Sequence, residues 1–317
     1  MYNVGMENNY VVGIGAANVD INGKSKKALI MQDSNPGYMN ISIGGVTRNV
    51  LENLARLDLP VHLIASIGKD AFGDMIVSHC AKCKIDLSYS LRVEGESSST
   101  YLDILDDHGS MQLALSDMHI IDYMTVEEIE KRDEVIRKAK VITFDPCLRE
   151  DTICYLTETY RDKVIFCDPV SSAYALRVRP YISHIHTMKP NRMELAILAE
   201  HPADTMEEIE QACQILIDKG VRRVFVSLGR KGLYYYDAKG NRCLKSMEPL
   251  GDYVSASGAG DSSMSGIIYG YFKGLNLETT MDYALACGKL ALLSKSANNP
   301  ELSVIKVEEI IERERKK

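Results

Sequence analysis

Between residues 125 and 228 the chain keeps a regular rhythm. Short runs of β-branched and apolar residues at 141–144, 164–167 and 224–228 are set among helix-periodic stretches near 125–138, 150–161, 191–199 and 206–219. A strand that is apolar at every position, rather than at every second one, must be covered on both faces. Helices between such strands supply the cover and return the chain to start the next strand in the same direction. The rhythm therefore predicts an α/β fold, with a mainly parallel central sheet and helices on both faces.

The N-terminal third departs from this rhythm. Val11-Val12-Gly13-Ile14-Gly15 reads as a further buried strand, 61–67 as another and 71–81 as a helix, while Val46, Val50, Leu54 and Leu57 recur at helical spacing. Two patches, about 18–43 and 97–117, do not alternate. The first contains Asp33-Ser34-Asn35-Pro36-Gly37, a strong turn signal, and the second places Asp106-Asp107-His108-Gly109 between two strand-like runs, as in a β-hairpin. We expect the patches to pair as a small antiparallel sheet that forms a lid over a cleft, all within a single domain over residues 1–317. The last third reads as helices at 258–274, 277–294 and 306–315.

Composition excludes several classes. The net charge of -7 and the lack of a basic tract argue against a nucleic-acid partner. No apolar run approaches the ~20 residues that span a bilayer, so no membrane partner is expected. The first ten residues lack a basic segment followed by an apolar one, and the eight cysteines are scattered, which suits a reducing, cytoplasmic setting. Cys80 and Cys83 fall late in a helical pattern without a second cysteine pair, and read as ordinary helix residues rather than a zinc site.

The sharpest chemical feature is the segment Ser255-Ala256-Ser257-Gly258-Ala259-Gly260-Asp261-Ser262-Ser263, a glycine-rich turn that runs into an apolar helix. The first amides of a helix have no internal partner, and the helix dipole adds partial positive charge there. Glycine lets a phosphate come close to those amides. A carboxylate at the same point is placed to take a proton from an attacking hydroxyl. The same residues would also serve as a plain helix N-cap.

Gly258-Ala259-Gly260-Asp261 resembles the GAGD signature of the ribokinase-like (PfkB) carbohydrate kinases. Further segments match in order: Gly13 to Asp20, Gly44-Gly45-Val46-Thr47-Arg48-Asn49, Gly68-Lys69-Asp70-Ala71-Phe72-Gly73, Lys189-Pro190-Asn191-Arg192-Met193-Glu194 and Leu228-Gly229-Arg230-Lys231-Gly232. The resemblance implies a kinase using ATP and Mg2+, with Asp261 as catalytic base and the amides of Gly258, Ala259 and Gly260 as an anion hole. It implies that Asn18, Asp20, Ser34, Asn35, Gly44, Gly45 and Asn49 bind the acceptor. Asn191, Ser227, Gly229, Gly232, Gly258 and Gly260 would bind nucleotide, and Asn191 and Glu194 would hold the metal through water. Ser255-Ala256-Ser257 lacks the acidic residue that some relatives carry in a monovalent-cation loop, so potassium dependence stays open. Ser262-Ser263 also departs from the usual pattern. Lid sheets of the family can pair between subunits, so the resemblance is consistent with a homodimer through the lid.

Within the family, the segments Gly15 to Asp20, Asp33 to Gly37, Arg48 to Leu57, Ser99 to Leu102, Asp168 to Ser171 and Asn299 to Ser303 most resemble the pseudouridine-phosphorylating branch. That implies transfer to the 5′-hydroxyl of a ribonucleoside. Kinases of another nucleoside or a sugar remain as alternatives, as does a non-catalytic nucleoside-binding protein. A dinucleotide-dependent enzyme is disfavoured, because Asn18 to Gly23 is a poor helix start after the Gly13-Ile14-Gly15 turn.

Overall fold

The apolar runs become the centre of one sheet in the computed structural model, which describes residues 9–248 and 254–316; the first eight residues, part of the segment read above for a leader, lie outside it. Eight strands lie side by side in the order Arg242–Lys245, Leu233–Asp237, Arg223–Ser227, Thr187–Met188, Ile165–Cys167, Val141–Phe144, Val11–Ile14 and Val61–Ile64. The pairings from Arg223–Ser227 to Val61–Ile64 are parallel, and the two remaining edge strands are antiparallel. Neighbouring residues of a strand enter opposite layers. Val11 belongs to the apolar layer that includes the helices Val46–Arg56, Ala71–Lys82, Ala259–Lys273, Leu277–Leu292 and Val304–Arg315, whereas Val12 belongs to the layer that includes Glu150–Thr159, Ser172–Val178, Arg192–Ala199 and Met206–Asp218. Two apolar layers thus sandwich the sheet, as the fully apolar runs require. Among the described residues no helix is long and apolar enough to cross a membrane.

Some elements escape the sequence reading. Thr187–Met188 is too short to show a pattern, and the stretch near 125–138 divides into Val126–Glu130 and Asp133–Lys138. The 61–67 run splits at Ala65, and Ser66–Gly68 leaves the main sheet to pair with Leu91–Val93.

The two non-alternating patches do form a separate sheet, in the order Gly37–Gly44, Asn18–Ser25, Thr100–Leu105 and Met111–Asp117. It is mixed rather than antiparallel, because its central pair, Asn18–Ser25 with Thr100–Leu105, runs parallel. Each patch forms a hairpin, and the strand that enters the first docks beside the strand that enters the second. Residues opposite one another share a face. Asp20, Ser42 and Tyr101 are opposite, as are Asn22, Asn40 and Asp103, so one face is polar. The other carries Met39, Ile41, Leu102, Ile104, Leu113 and Leu115, and much of it is exposed, Leu115 at 62% and Met39 at 67%.

Candidate active site

Open parallel sheets present their ligand sites beyond the carboxyl ends of the strands, near the point where strand order reverses. Here the order reverses at Val11–Ile14, whose chain successor Val61–Ile64 lies on one side and Val141–Phe144 on the other. Polar residues follow the apolar runs at this end: Asp145 after Phe144, Asp168 after Cys167 and Lys189 after Met188. Asp145 is fully buried and accepts bonds from the amides of Ala16 and Thr47, which ties the first strand's exit to the start of the Val46–Arg56 helix.

The glycine-rich turn ends at the same place. Gly258 is the N-cap of the Ala259–Lys273 helix, in the left-handed region at φ 74°, and no side chain caps it. A Cβ on Gly258 would lie 1.9 Å from the Ala297 carbonyl oxygen, so both backbone conformation and packing require glycine. The Ala259 amide reaches back 3.5 Å to the Ala256 carbonyl. Gly260 meets only the Lys189 Nζ, 3.5 Å from where its Cβ would be.

Asp261, in the first turn, accepts a bond from Asn49 Nδ2 at 2.7 Å. Burial pushes its carboxyl up to about 7, helped by the Asp168 charge and opposed by the Asn49 bond, Lys189 and Arg48. The neighbouring side chains zip this helix to Val46–Arg56. Asn53 donates to Ser262 Oγ at 2.8 Å, and Ser265 donates to the Val50 carbonyl at 3.1 Å. The Ser262-Ser263 departure from the family pattern therefore has a reason. Ser262 completes a polar seam between two buried helices, and Ser263 lines the cavity described below.

A second charged group adjoins the first. Lys189 is buried and pairs with Asp168 at 2.9 Å. Burial alone would lower its pKa, but Asp168, Glu194 and Asp261 hold it above the ordinary value. Asn191 and Glu194 form a capping box on the Arg192–Ala199 helix, each side chain bonded to the other's backbone amide. Burial also raises the Glu194 carboxyl, and Asp168 adds to this against the Asn191 bonds. Three carboxylates around one ammonium, two of them pushed up, are a set that a divalent cation would relieve.

On the lid side, Asp20 accepts from Asn18 Nδ2, and burial raises its carboxyl to about 6 against Arg48 and the Asn18 bond. Gly44 sits so close that a Cβ there would lie 2.3 Å from Asp20 Oδ2. Gly45, at φ 100°, precedes the helix that carries Asn49. Asn18, Asp20, Gly44, Gly45, Asn49 and Asp261 thus converge at the root of the lid. Ser34 and Asn35 do not join them. They lie in the loop after Ser25, seven strand steps or roughly 23 Å along from Asn18, and Asn35 bonds within its own loop, to both backbone groups of Ile30 and to the Asp33 carbonyl.

On the other side of Gly260 a cavity of about 390 Å³ opens, lined by Ser227, Gly229, Gly232, Leu233, Ser263 and Leu285 among others. Asn191 bridges to Ser227 at its edge, whereas Gly258 shapes the turn from outside the lining. Away from the site, Cys83 does acquire a histidine neighbour: Glu52, His79 and Cys83 bring three donor atoms within 4.8 Å. Glu52 is already held by Arg48 and Arg56, two cations that oppose a dication there.

Sequence reasoning assigned no role to Arg48, Asp145, Asp168 or Lys189. For Asp145 and Asp168 a signal exists, a charged residue immediately after a run of β-branched and apolar residues; Lys189 follows the two-residue strand Thr187–Met188 and carries none of that kind. Asn22, Tyr101 and Asp103 on the polar lid face carry no such signal, because they meet only through the parallel pairing of distant strands.

Comparison with known proteins bears on the fold and the family. The model of the pfkB family carbohydrate kinases matches residues 8–303. Pseudouridine kinase of Escherichia coli K12 is 33% identical over 306 residues, covering 96% of this chain and 97% of its own length. A carbohydrate kinase from Agrobacterium tumefaciens superimposes with a TM-score of 0.83 at 22% identity, over 96% of this chain and 97% of that one. Ribokinase of Arabidopsis thaliana, complexed with ribose and ATP, gives 0.84 at 19% identity, over 96% and 99%. Fold and relatives define a phosphotransferase that acts on a hydroxyl group. Within that class, the chain belongs to the pfkB family of carbohydrate kinases.

Proposed function

We propose that the chain transfers the γ-phosphoryl group of ATP to the 5′-hydroxyl of a ribonucleoside, and that pseudouridine is its preferred acceptor. The observation that carries the reading is the position of Asp261. Its carboxylate stands between the polar root of the lid on one side and the Gly260 cavity on the other. Asp20, Asn18 and the Gly44-Gly45 backbone hold the ribose hydroxyls, leaving the 5′-hydroxyl directed at Asp261. The apolar cavity takes the adenine, and its phosphates run toward the first turn of the Ala259–Lys273 helix. Gly260, and Gly258 as the turn's cap, let the phosphoryl group approach amides that have no helical partner.

Asp261 accepts the hydroxyl proton as the oxygen attacks in line. Lys189 and the helix amides stabilise the charge on the transferring group, and proximity supplies much of the rest. Glu194 and Asn191 would hold Mg2+ through water, where it would neutralise phosphate oxygens. Closure of the lid would exclude water and limit hydrolysis of ATP.

Two observations favour pseudouridine. The likeness to pseudouridine kinase runs over nearly the whole of both chains. The polar lid face offers carboxylate and carboxamide groups, with Asn22 donating to Asp103 at 2.8 Å. Pseudouridine presents a ring N–H that uridine lacks. A buried acceptor left without that N–H costs about 1–3 kcal/mol, or roughly 5- to 150-fold in specificity. The apolar face of the lid, with Met39, Ile41, Leu113 and Leu115 exposed, suits packing against the lid of a second copy.

ADP release measured with pseudouridine, uridine, adenosine and ribose tests the reading. The expected result is the highest kcat/KM for pseudouridine. A best activity on adenosine or a free sugar would remove the substrate assignment. No release with any acceptor would favour a binding protein on a kinase scaffold.

A further inference from the structure

The base does not stand alone. Asn49 turns its carboxamide on Asp261, and a carboxamide has two ends of nearly the same shape. With the N–H end toward Asp261 it steadies a carboxylate; with the oxygen end it would repel one. Something must fix which end faces the base.

Arg48 is 1% exposed, on the same helix. Its guanidinium meets acceptors on every side: Glu52 Oε2, the Gly44 carbonyl at 3.2 Å, the Ile43 carbonyl at 2.6 Å, Asn298 Oδ1 at 3.1 Å and Asn49 Oδ1. Guanidinium can only donate. Asn49 must therefore give Arg48 its oxygen, which leaves its N–H for Asp261. Asn298 closes the arrangement by donating to the Asn49 carbonyl at 2.8 Å. Ile43 and Gly44 are the last two residues of the lid strand Gly37–Gly44, so one side chain joins the lid's root to the partner of the base.

We propose that Arg48 is a positioning residue for the base, setting the orientation of Asn49 and tying it to the end of the lid strand. The proposal rests on the reading of Asp261 as the base. Lysine at 48 would keep the charge opposite Glu52 but could not reach Asn49, the lid carbonyls and Asn298 together. The charged groups that face Asp261 are Asp168 and Lys189 from the strand ends and Arg48 from the helix. Only the last changes in this variant.

The test uses the full chain in three variants: Arg48→Lys, Asn49→Ala and the double variant. The Asp261 carboxyl is titrated by carbon NMR without substrates, its signal assigned by loss in Asp261→Asn, and kinetics are measured alongside. Arg48→Lys should move the Asp261 midpoint upward and lower kcat by up to ~10²-fold, with KM for ATP within about threefold of the parent. The double variant should be no worse than Asn49→Ala, because both remove the same contact. An unmoved midpoint in folded Arg48→Lys would overturn the proposal, as would losses that add in full. Should Arg48→Lys not fold, Asn298→Ala, which withdraws one acceptor from Arg48 and one donor from Asn49, must show the upward shift instead; no shift there overturns it equally. A parent without kinase activity whose midpoint still shifts would leave the positioning intact and remove the reading of function.

Discussion

Where the Ala259–Lys273 helix meets the Val46–Arg56 helix, polar groups face one another and bond across the seam, with only the Asn53 Oδ1 among these side chains left without a partner. Asn49 serves Asp261, Asn53 serves Ser262 and Ser265 serves the Val50 carbonyl. In the lid, Asp20 and Asp103 are likewise paired, but four large apolar residues of the outer face stand in water and the connecting loop bonds mainly to itself. On the proposed reading the floor fixes a geometry for one proton and one phosphoryl group, and low local dielectric makes each of its bonds count. On the same reading the lid would carry choice of acceptor and contact with a second copy, which need a surface that can open. Changes in the floor should thus fall on turnover, and changes in the lid on KM, specificity or assembly.

Gly260→Val tests the floor hardest among these changes. The backbone there is ordinary helix and a Cβ would meet only Lys189 Nζ, at 3.5 Å, so the fold should survive. Turnover should fall at least roughly 10²- to 10³-fold, the worth of a blocked anion hole. Wild-type turnover in a folded variant, measured by ADP release, would move the γ-phosphate elsewhere. In the lid, Asp20→Asn should raise KM for the acceptor roughly 5- to 150-fold, as expected for about 1–3 kcal/mol lost from a buried polar contact, with KM for ATP nearly unchanged. Equal effects on both substrates would contradict the division of labour.

Assembly should respond to the outer face alone. Leu113→Lys with Leu115→Lys should convert a dimer to a monomer in sedimentation while the circular dichroism spectrum is kept. A parent that is monomeric at micromolar concentration would end the lid-to-lid reading.

Stability against pH reads Asp261 in the floor alongside Asp20 at the lid root, whose carboxyl is also raised, to about 6. The folded-state pKa of Asp261 is raised, so the native protein holds a proton that the unfolded chain has released. Stability therefore declines as pH rises from about 4 to about 7. Asp261→Asn mimics the protonated form and should abolish that part of the decline. Its melting temperature should exceed that of the parent at pH 8 and approach it at pH 5. The smallest effect belongs to the lid tip. Asn35→Ala should leave the pseudouridine–uridine ratio within about threefold, since its side chain is engaged by Ile30 and Asp33. A collapse of that ratio would return Asn35 to base recognition.

The sheet, its two helical layers and the glycine-rich helix start were legible because each rests on local pattern: apolar runs, a 3.6-residue period, glycines before a helix. The lid was legible as a departure from that pattern, but its parallel central pair was not, since hairpin signals say nothing of how two hairpins dock. Gly258, Gly260, Asp261, Asn49 and Asp20 could be picked out by residue type and motif. Asp168 could have been, as a charge at the end of the apolar strand Ile165–Cys167; Lys189 could not on that ground, since Thr187–Met188 is too short to show a pattern. Arg48 could not, because its role depends on five acceptors drawn from a lid strand, its own helix and the loop near Asn298. Ser34 and Asn35 stand apart from the other candidates for the converse reason. Their turn chemistry is real, and the structure uses it to close a loop at the far end of the lid.

Asp261→Asn tests the central claim most directly. The change keeps shape and removes basicity. Turnover with pseudouridine, ATP and magnesium should fall roughly 10²- to 10⁴-fold, the usual worth of a general base. Calorimetric dissociation constants for nucleoside and ATP should stay within a few-fold of the parent. Near-normal turnover would mean that Asp261 is not the base, and loss of both binding constants with turnover would mean that it holds the site together instead.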